Sequence, residues 1–204
     1  MRRVPRQQRS RDRVDAILAA AHGLVVEAGS DAMRMSDVAA RAGVPIGSVY
    51  QYFPDKAAIL RELAVRFMVR VRQVLAAGLA DLGGRDEAID RVDDLLAAYH
   101  ALFVSEPDIR DLWAATQSDK ELQQLDVEDS RANAGVLYDA LVPFAAAADH
   151  DQLRDVAFLF THLAGTAARL AIAVGPAEGE RLMAELRGVV RLRLDQLLAA
   201  DGTG

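Results

Sequence analysis

The chain has 204 residues, 51% of them hydrophobic and 26% charged, with no cysteine and a formal net charge of −6. That is the composition of a globular protein that folds without disulfides, and it excludes thiolate metal sites and cysteine nucleophiles. The charge is unevenly spread: residues 1–60 carry nine Lys/Arg against six Asp/Glu, whereas residues 61–204 carry fifteen against twenty-four, so a basic head precedes an acidic body and only the head suits a polyanion.

Arg2, Arg3, Arg6, Arg9, Arg11 and Arg13 crowd the first thirteen residues against the single acid Asp12, an arm suited to a phosphate backbone. It does not read as an export signal. Asp12 and Asp15 interrupt the approach, and Val14, Ile17, Leu18, Ala21, Leu24, Val25 and Ala28 form one helical stripe instead of a uniform apolar block. With no cysteine and no leader, the expected compartment is the cytoplasm.

This first helix is expected over about residues 10–28, stopping at Gly29. A short helix over about 35–42 ends at Gly43, and another begins near Pro45 and ends near Phe53. Asp55 is the expected cap of a long helix running to about Leu79 and stopped by Gly83 and Gly84. Further helices are expected over about 85–104, 109–116 and 119–146, with a break at Glu106 and Pro107. Asp149 and Gln152 read as a capping box opening a helix to about Val174, which Gly175 and Pro176 end, and a last helix covers about 177–200. Alternating β-branched runs are missing. The predicted fold is therefore all-α with about nine helices, divided into a three-helix head over residues 1–55 and a helical body over 56–204. The longest later apolar run, Val156 to Ala168, contains His162 and falls short of the ~20 residues a bilayer requires, so no membrane span is expected.

The informative stretch runs from Ser36 to Leu60. Two short helices must cross tightly there: Ala39 is small enough to admit the second helix, and Gly43 supplies a left-handed turn that a side chain resists. Val38, Ala42, Val44, Val49 and Tyr52 are spaced to fill the wedge, which leaves Pro45, Ile46, Gly47, Ser48, Tyr50 and Gln51 on the outer side. A helix presented this way fits a major groove. Gln51 can pair with adenine, Ser48 can donate or accept, and Ile46 can cover a thymine methyl. Tyr50, Tyr52 and Lys56 are placed for phosphates, as are Arg34, Ser36 and Arg41 on or beside the preceding helix.

Residues 10–60 resemble the DNA-binding domain of the tetracycline-repressor (TetR) family. The resemblance is carried by Ile17, Leu18, Ala21, Leu24 and Gly29 in the first helix, Asp37-Val38-Ala39 in the second, Ala42-Gly43-Val44 at the turn, and Gly47-Ser48-Val49-Tyr50 with Tyr52-Phe53, Lys56 and Leu60 beyond it. It implies base contacts at Ile46, Gly47, Ser48 and Gln51 and phosphate contacts at Tyr50, Tyr52 and Lys56. Two positions depart from the family pattern. Met33-Arg34-Met35 stands where a Thr or Ser usually caps the second helix, so the cap is either missing or moved to Asp31. Pro45 and Ile46 replace the small polar and basic residues common at the start of the recognition helix.

The resemblance also implies a small-molecule pocket in the body, for which Tyr99, His100, Phe103, Trp113, Gln117, Tyr138, Phe158 and His162 are candidates. The last two helices carry more apolar residues than one face holds, and Val156, Phe160, Leu163, Ala164, Ala167, Ala171, Leu186, Val190, Leu194 and Leu197 are expected to pair with the same helices of a second copy. A dimer of this kind would place two recognition helices on a near-palindromic operator, and an effector tilting the helix from Lys56 to Leu79 would change their spacing and release the repressor. Metal, cofactor and enzyme chemistry are not expected: His22, His100, His150 and His162 are scattered, and glycine-rich phosphate loops and nucleophile elbows are missing. The rival reading is a helical scaffold or membrane-surface module that uses the basic arm.

Overall fold

The computed structural model describes residues 6–105 and 120–198, with side chains over 8–105 and 123–198. Among these, eight α-helices follow in order: α1 (Arg6–Ala32), α2 (Met35–Ala42), α3 (Ile46–Tyr52), α4 (Lys56–Gly78), α5 (Arg85–Ser105), α6 (Lys120–Leu141), α7 (His150–Val174) and α8 (Pro176–Leu197). Two 3-10 turns, Val142–Phe144 and Ala147–Asp149, separate α6 from α7. The described residues contain no strand, only an isolated bridge between Ala145 and Leu198. The helix expected over 109–116 and the break at Glu106 and Pro107 lie outside the described residues.

Chain punctuation accounts for most boundaries. Gly29 adopts φ 81° and ψ 160° and interrupts α1 where a stop is expected, with a short turn continuing to Ala32. α2 starts on Arg34, without a side-chain cap. Asp55 caps α4, its Oδ1 accepting from the Ala58 amide at 2.8 Å. Two expectations fail. The helix expected to reach Ala146 stops at Leu141, because Pro143 has no N–H to give and its ring would strike the carbonyl a turn earlier. The capping box is also missing: Asp149 closes a 3-10 turn at φ −99° and ψ −1°, so its carboxylate is not in the extended geometry that aims it at the following amides.

The chain forms two compact units, with the division inside α4, between Phe67 and Met68. The first is closed by Ile17, Leu18, Ala21 and Val25 of α1, Val38 and Ala39 of α2, Val49 of α3, and Ile59, Leu60 and Ala64 of α4, with Met33 and Phe53 from the turns. These are the stripes of the individual helices, brought to one centre. Val14 and Leu24 pack on its rim, and Ala28 is exposed.

The second unit buries Ala88, Ile89 and Val92 of α5, Ala134, Leu137 and Leu141 of α6, Leu153, Ala157 and Phe160 of α7, and Val190, Leu194 and Leu197 of α8. Polar links run along one edge. Arg187 holds Asp93 with two hydrogen bonds, Arg191 reaches Asp90 at 2.7 Å, and Arg85 bonds the Leu198 and Asp195 carbonyls and the Asp195 carboxylate. The segment Ala147–Val174 is long and apolar enough to cross a membrane, which corrects the count taken from its continuous apolar run alone. Here Leu153, Ala157 and Phe160 of that segment instead pack into a protein core with α8.

Candidate functional site

The geometry of the α2–α3 corner follows from Gly43. It adopts φ 66° and ψ 32°, its amide bonds the Ala40 carbonyl at 3.3 Å, and the Val44 amide bonds the Ala39 carbonyl at 3.1 Å. This paired closure satisfies two terminal carbonyls of α2 and reverses the chain within two residues. Val38 and Val49 are fully buried at the crossing, with Ala42, Val44 and Tyr52 packed beside them, as the spacing predicts.

With Val49 inward, α3 presents Ile46, Gly47, Tyr50 and Gln51 to solvent, spaced so that they share one face. Ile46 is 43% and Tyr50 52% exposed, so two large apolar surfaces stand in water where a monomer gains nothing from them. Pro45 is exposed at the entry to the helix, and Ser48 is half-buried beside Val49. Arg34 and Ser36 are exposed at the start of α2.

Three of the expected phosphate contacts have partners of their own. The Tyr52 hydroxyl, half-buried, accepts from Ser10 Oγ at 3.2 Å. Lys56 Nζ donates to the carbonyls of Ser30 and Asp31 at 3.1 and 3.3 Å, leaving one of its three protons for another acceptor. Arg41 forks onto Glu27. A groove of about 410 Å³ also opens in this unit, lined by Ser10, Arg11, Val14, Asp15, Tyr52 and Arg66.

In the second unit, the candidate effector residues fall into two groups. His100 and Phe103 are buried, Tyr99 meets Phe103 edge to face with centroids 5.0 Å apart, and His162 shares a 3.1 Å hydrogen bond with Ser130. Tyr138 and Phe158 are instead covered by exposed arginines, Arg154 and Arg131, at 4.7 and 4.3 Å. Trp113 and Gln117 lie outside the described residues.

Sequence reading missed the polar seam beside the first group. Arg72 of α4 lies 3.2 Å from Asp129 of α6, Asn133 bonds the same carboxylate at 2.9 Å, and Arg169 of α7 stands 3.9 Å from Asp126. Burial pushes the Asp129 carboxyl up, against the pull of Arg72, and burial pushes the Tyr99 phenol up as well. The available signal was the recurrence of Asp126, Asp129, Ser130 and Asn133 at helical spacing, a polar stripe in a helix whose other face is apolar.

Of the residues expected to pair two copies, Phe160, Ala164, Ala171, Val190, Leu194 and Leu197 are buried within the chain itself. The reason is that α7 and α8 pack on each other and on α5, so this stripe is spent on the monomer's own core. Val156, Leu163, Ala167 and Leu186 are half-buried. The apolar surface left on these two helices is Leu159, Leu170, Val189 and Leu192, at 54, 51, 57 and 62% exposure, with Val174 at 37%.

Residues 17–63 match the family of bacterial regulatory proteins of the tetR type, and residues 86–198 match a tetracyclin repressor-like C-terminal domain. None of the curated proteins matches the sequence. Among solved structures, a TetR-family transcriptional regulator from Streptomyces coelicolor is similar at 28% identity and a TM-score of 0.67, over 91% of this chain and 99% of that one. A TetR-family regulator from Pectobacterium atrosepticum matches at 21% identity and 0.71 over 97% and 99%. The repressor FadR of Thermus thermophilus, solved with lauroyl-CoA, matches at 19% and 0.65 over 94% and 98%.

Proposed function

The chain belongs to the TetR family of bacterial transcriptional regulators, and from that premise we propose a homodimeric repressor that seats α3 in the major grooves of a near-palindromic operator and leaves it when a small molecule binds the second unit. The observation that carries this reading is the exposed face Ile46, Gly47, Tyr50 and Gln51 on a helix whose opposite side, at Val49, is locked in the core. Gln51 and Ser48 read base edges, and Ile46 covers a thymine methyl. Tyr50, Tyr52, the third proton of Lys56, Arg34 and Ser36 hold phosphates. The head that performs this is the first unit, with Lys56 and the start of α4 in it, and the second unit senses and dimerises. The protein's place is the cytoplasm, with the operator.

The dimer forms through Leu159 and Leu170 of α7 and Val189 and Leu192 of α8, against the same residues of a second copy. Four exposed aliphatic side chains on two adjacent helices are the surface that a two-fold four-helix contact buries. Effector binding releases DNA by favouring one spacing of the two recognition helices over another, since a ligand shifts an equilibrium only through unequal affinity for its states. The helix that serves this is α4, Lys56 to Gly78, whose Arg72 is ion-paired with Asp129 within the sensing unit.

Selection of bound sequences from a random duplex pool tests the reading. A palindrome with two equal half-sites is expected, while recovery of unrelated sequences without enrichment would end it.

A further inference from the structure

In the seam between α4, α5, α6 and α7, two buried side-chain oxygens lack an aligned hydrogen-bond donor among the described residues. Asn133 Nδ2 donates to Asp129 Oδ2 at 2.9 Å, and because a carboxylate only accepts, that bond sets which way the amide faces. Asn133 Oδ1 on the other side is buried, and among the described residues no donor reaches it. Asp129 Oδ1 is buried in the same way: Arg72 Nη2, 3.2 Å distant, supplies charge without an aligned hydrogen bond. Neighbouring donors are committed elsewhere, since Ser130 Oγ donates to the Asp126 carbonyl and Thr161 Oγ1 faces the carbonyls of Ser130, Ala157 and Phe158. Buried acceptors left without donors are costly in a folded protein and uncommon, and a ligand that supplies the donors removes the cost.

Charge and shape narrow the class. Arg72 stands against Asp129 and Arg169 against Asp126, so cations and anions balance in the seam. An anionic thioester such as an acyl-CoA would need surplus cations, and an ammonium would need a surplus carboxylate. The wall beside them is aromatic, with Tyr99 and Phe103 edge to face. Gly165 packs closely under this wall: a Cβ there would lie 3.5 Å from the Tyr99 hydroxyl oxygen and 3.3 Å from Arg169 Nη1.

We propose that the effector is an uncharged hydroxyaryl compound, its ring against Tyr99 and its hydroxyl donating its one proton to Asn133 Oδ1. The inference rests on the reading of the second unit as the sensing unit and adds the chemistry that it senses.

The test is calorimetric titration of the full-length protein with phenol, resorcinol and 2-naphthol, each beside its methyl ether. The hydroxyl compounds are expected to bind at least tenfold more tightly than their ethers, which keep the ring and lose the donor. Asn133→Leu is expected to abolish that preference. Should Asn133→Leu not fold, Gly165→Ala serves in its place and weakens 2-naphthol at least threefold by crowding Arg169 and the Tyr99 hydroxyl beside the ring. Ethers that bind as well as their parents, variants that bind like the wild type, or binding of lauroyl-CoA or benzylamine without any hydroxyaryl probe would overturn the proposal, as would no binding at all. Protein that binds duplex DNA but none of the hydroxyaryl probes fails this inference alone, whereas protein that binds a probe but no duplex fails the regulator reading instead.

Discussion

The guanidinium of Arg41 sits on the carboxylate of Glu27 as a two-bond fork, with contacts of 2.6 and 2.7 Å, and ties the last turn of α2 to α1. Gly23 makes room for it, since a Cβ there would lie 3.0 Å from the guanidinium carbon. The hydrogen bond to Arg41 holds the Glu27 carboxyl below its usual range and raises the arginine in return. A cation that sequence reading reserved for phosphate is therefore engaged by its own chain. Glu27→Ala is expected to free it, tightening duplex binding and steepening the salt dependence by about one unit. Arg41→Ala is expected to leave the slope unchanged. Anisotropy titrations across a salt series decide it, and a shallower slope for Arg41→Ala would return the residue to the phosphate set.

Lys56 has two duties. Its bonds to the Ser30 and Asp31 carbonyls close the end of α1, so Lys56→Ala should lower the stability of the protein by about 1 kcal/mol as well as weaken every duplex alike. Gln51→Ala, on an exposed face, should leave the unfolding midpoint where it is. Denaturant unfolding of both variants separates the two roles, and equal midpoints would contradict the assignment.

Glycines at the helix crossings differ sharply. A Cβ on Gly179 would stand 2.3 Å from the Ala171 carbonyl oxygen, a main-chain atom that cannot swing away. Gly179→Ala is expected to cost ~1–3 kcal/mol through overpacking. Gly135, in α6 with nothing within 4 Å, is expected to gain ~0.5–1 kcal/mol on replacement by Ala. Thermal melts of the two variants should move in opposite directions.

Asp93 adds a pH dependence. Arg187 holds its carboxyl below the usual range, so the folded state binds this proton less readily than the unfolded chain. The stabilisation is full above the unfolded value of about 4 and is lost as pH falls through the lower folded value. Asp93→Asn should thus be less stable than wild type in urea at pH 7, with the gap closing in acid. A gap that stays constant with pH would contradict the linkage.

The dimer face gives a further expectation. Paired Val189→Glu and Leu192→Glu substitutions put charge into the proposed contact on residues already exposed, so the fold should survive while light scattering reports monomers. A dimer that persists would place the interface elsewhere.

Much of this was legible because it is local. Gly29, Gly43, Asp55 and Gly175 announce helix ends through backbone geometry that only nearby residues determine, and Val38 and Val49 announce the corner through spacing. What was misread needs knowledge of neighbours. Periodicity shows that Phe160, Val190 and Leu194 are apolar on one face, but it does not say whether α5 or a second copy covers that face. Arg72, Asp129 and Asn133 look like surface residues until three helices close over them. Pro143 was overlooked against a strongly helical background.

Whether the outer face of α3 reads base edges is decided by comparing the base preferences of wild type and Gln51→Ala in parallel selections from one random duplex pool. Preference is expected to relax at a single position in each half-site while the rest of the palindrome persists. Identical preferences at every position, or a uniform loss across the site, would contradict it.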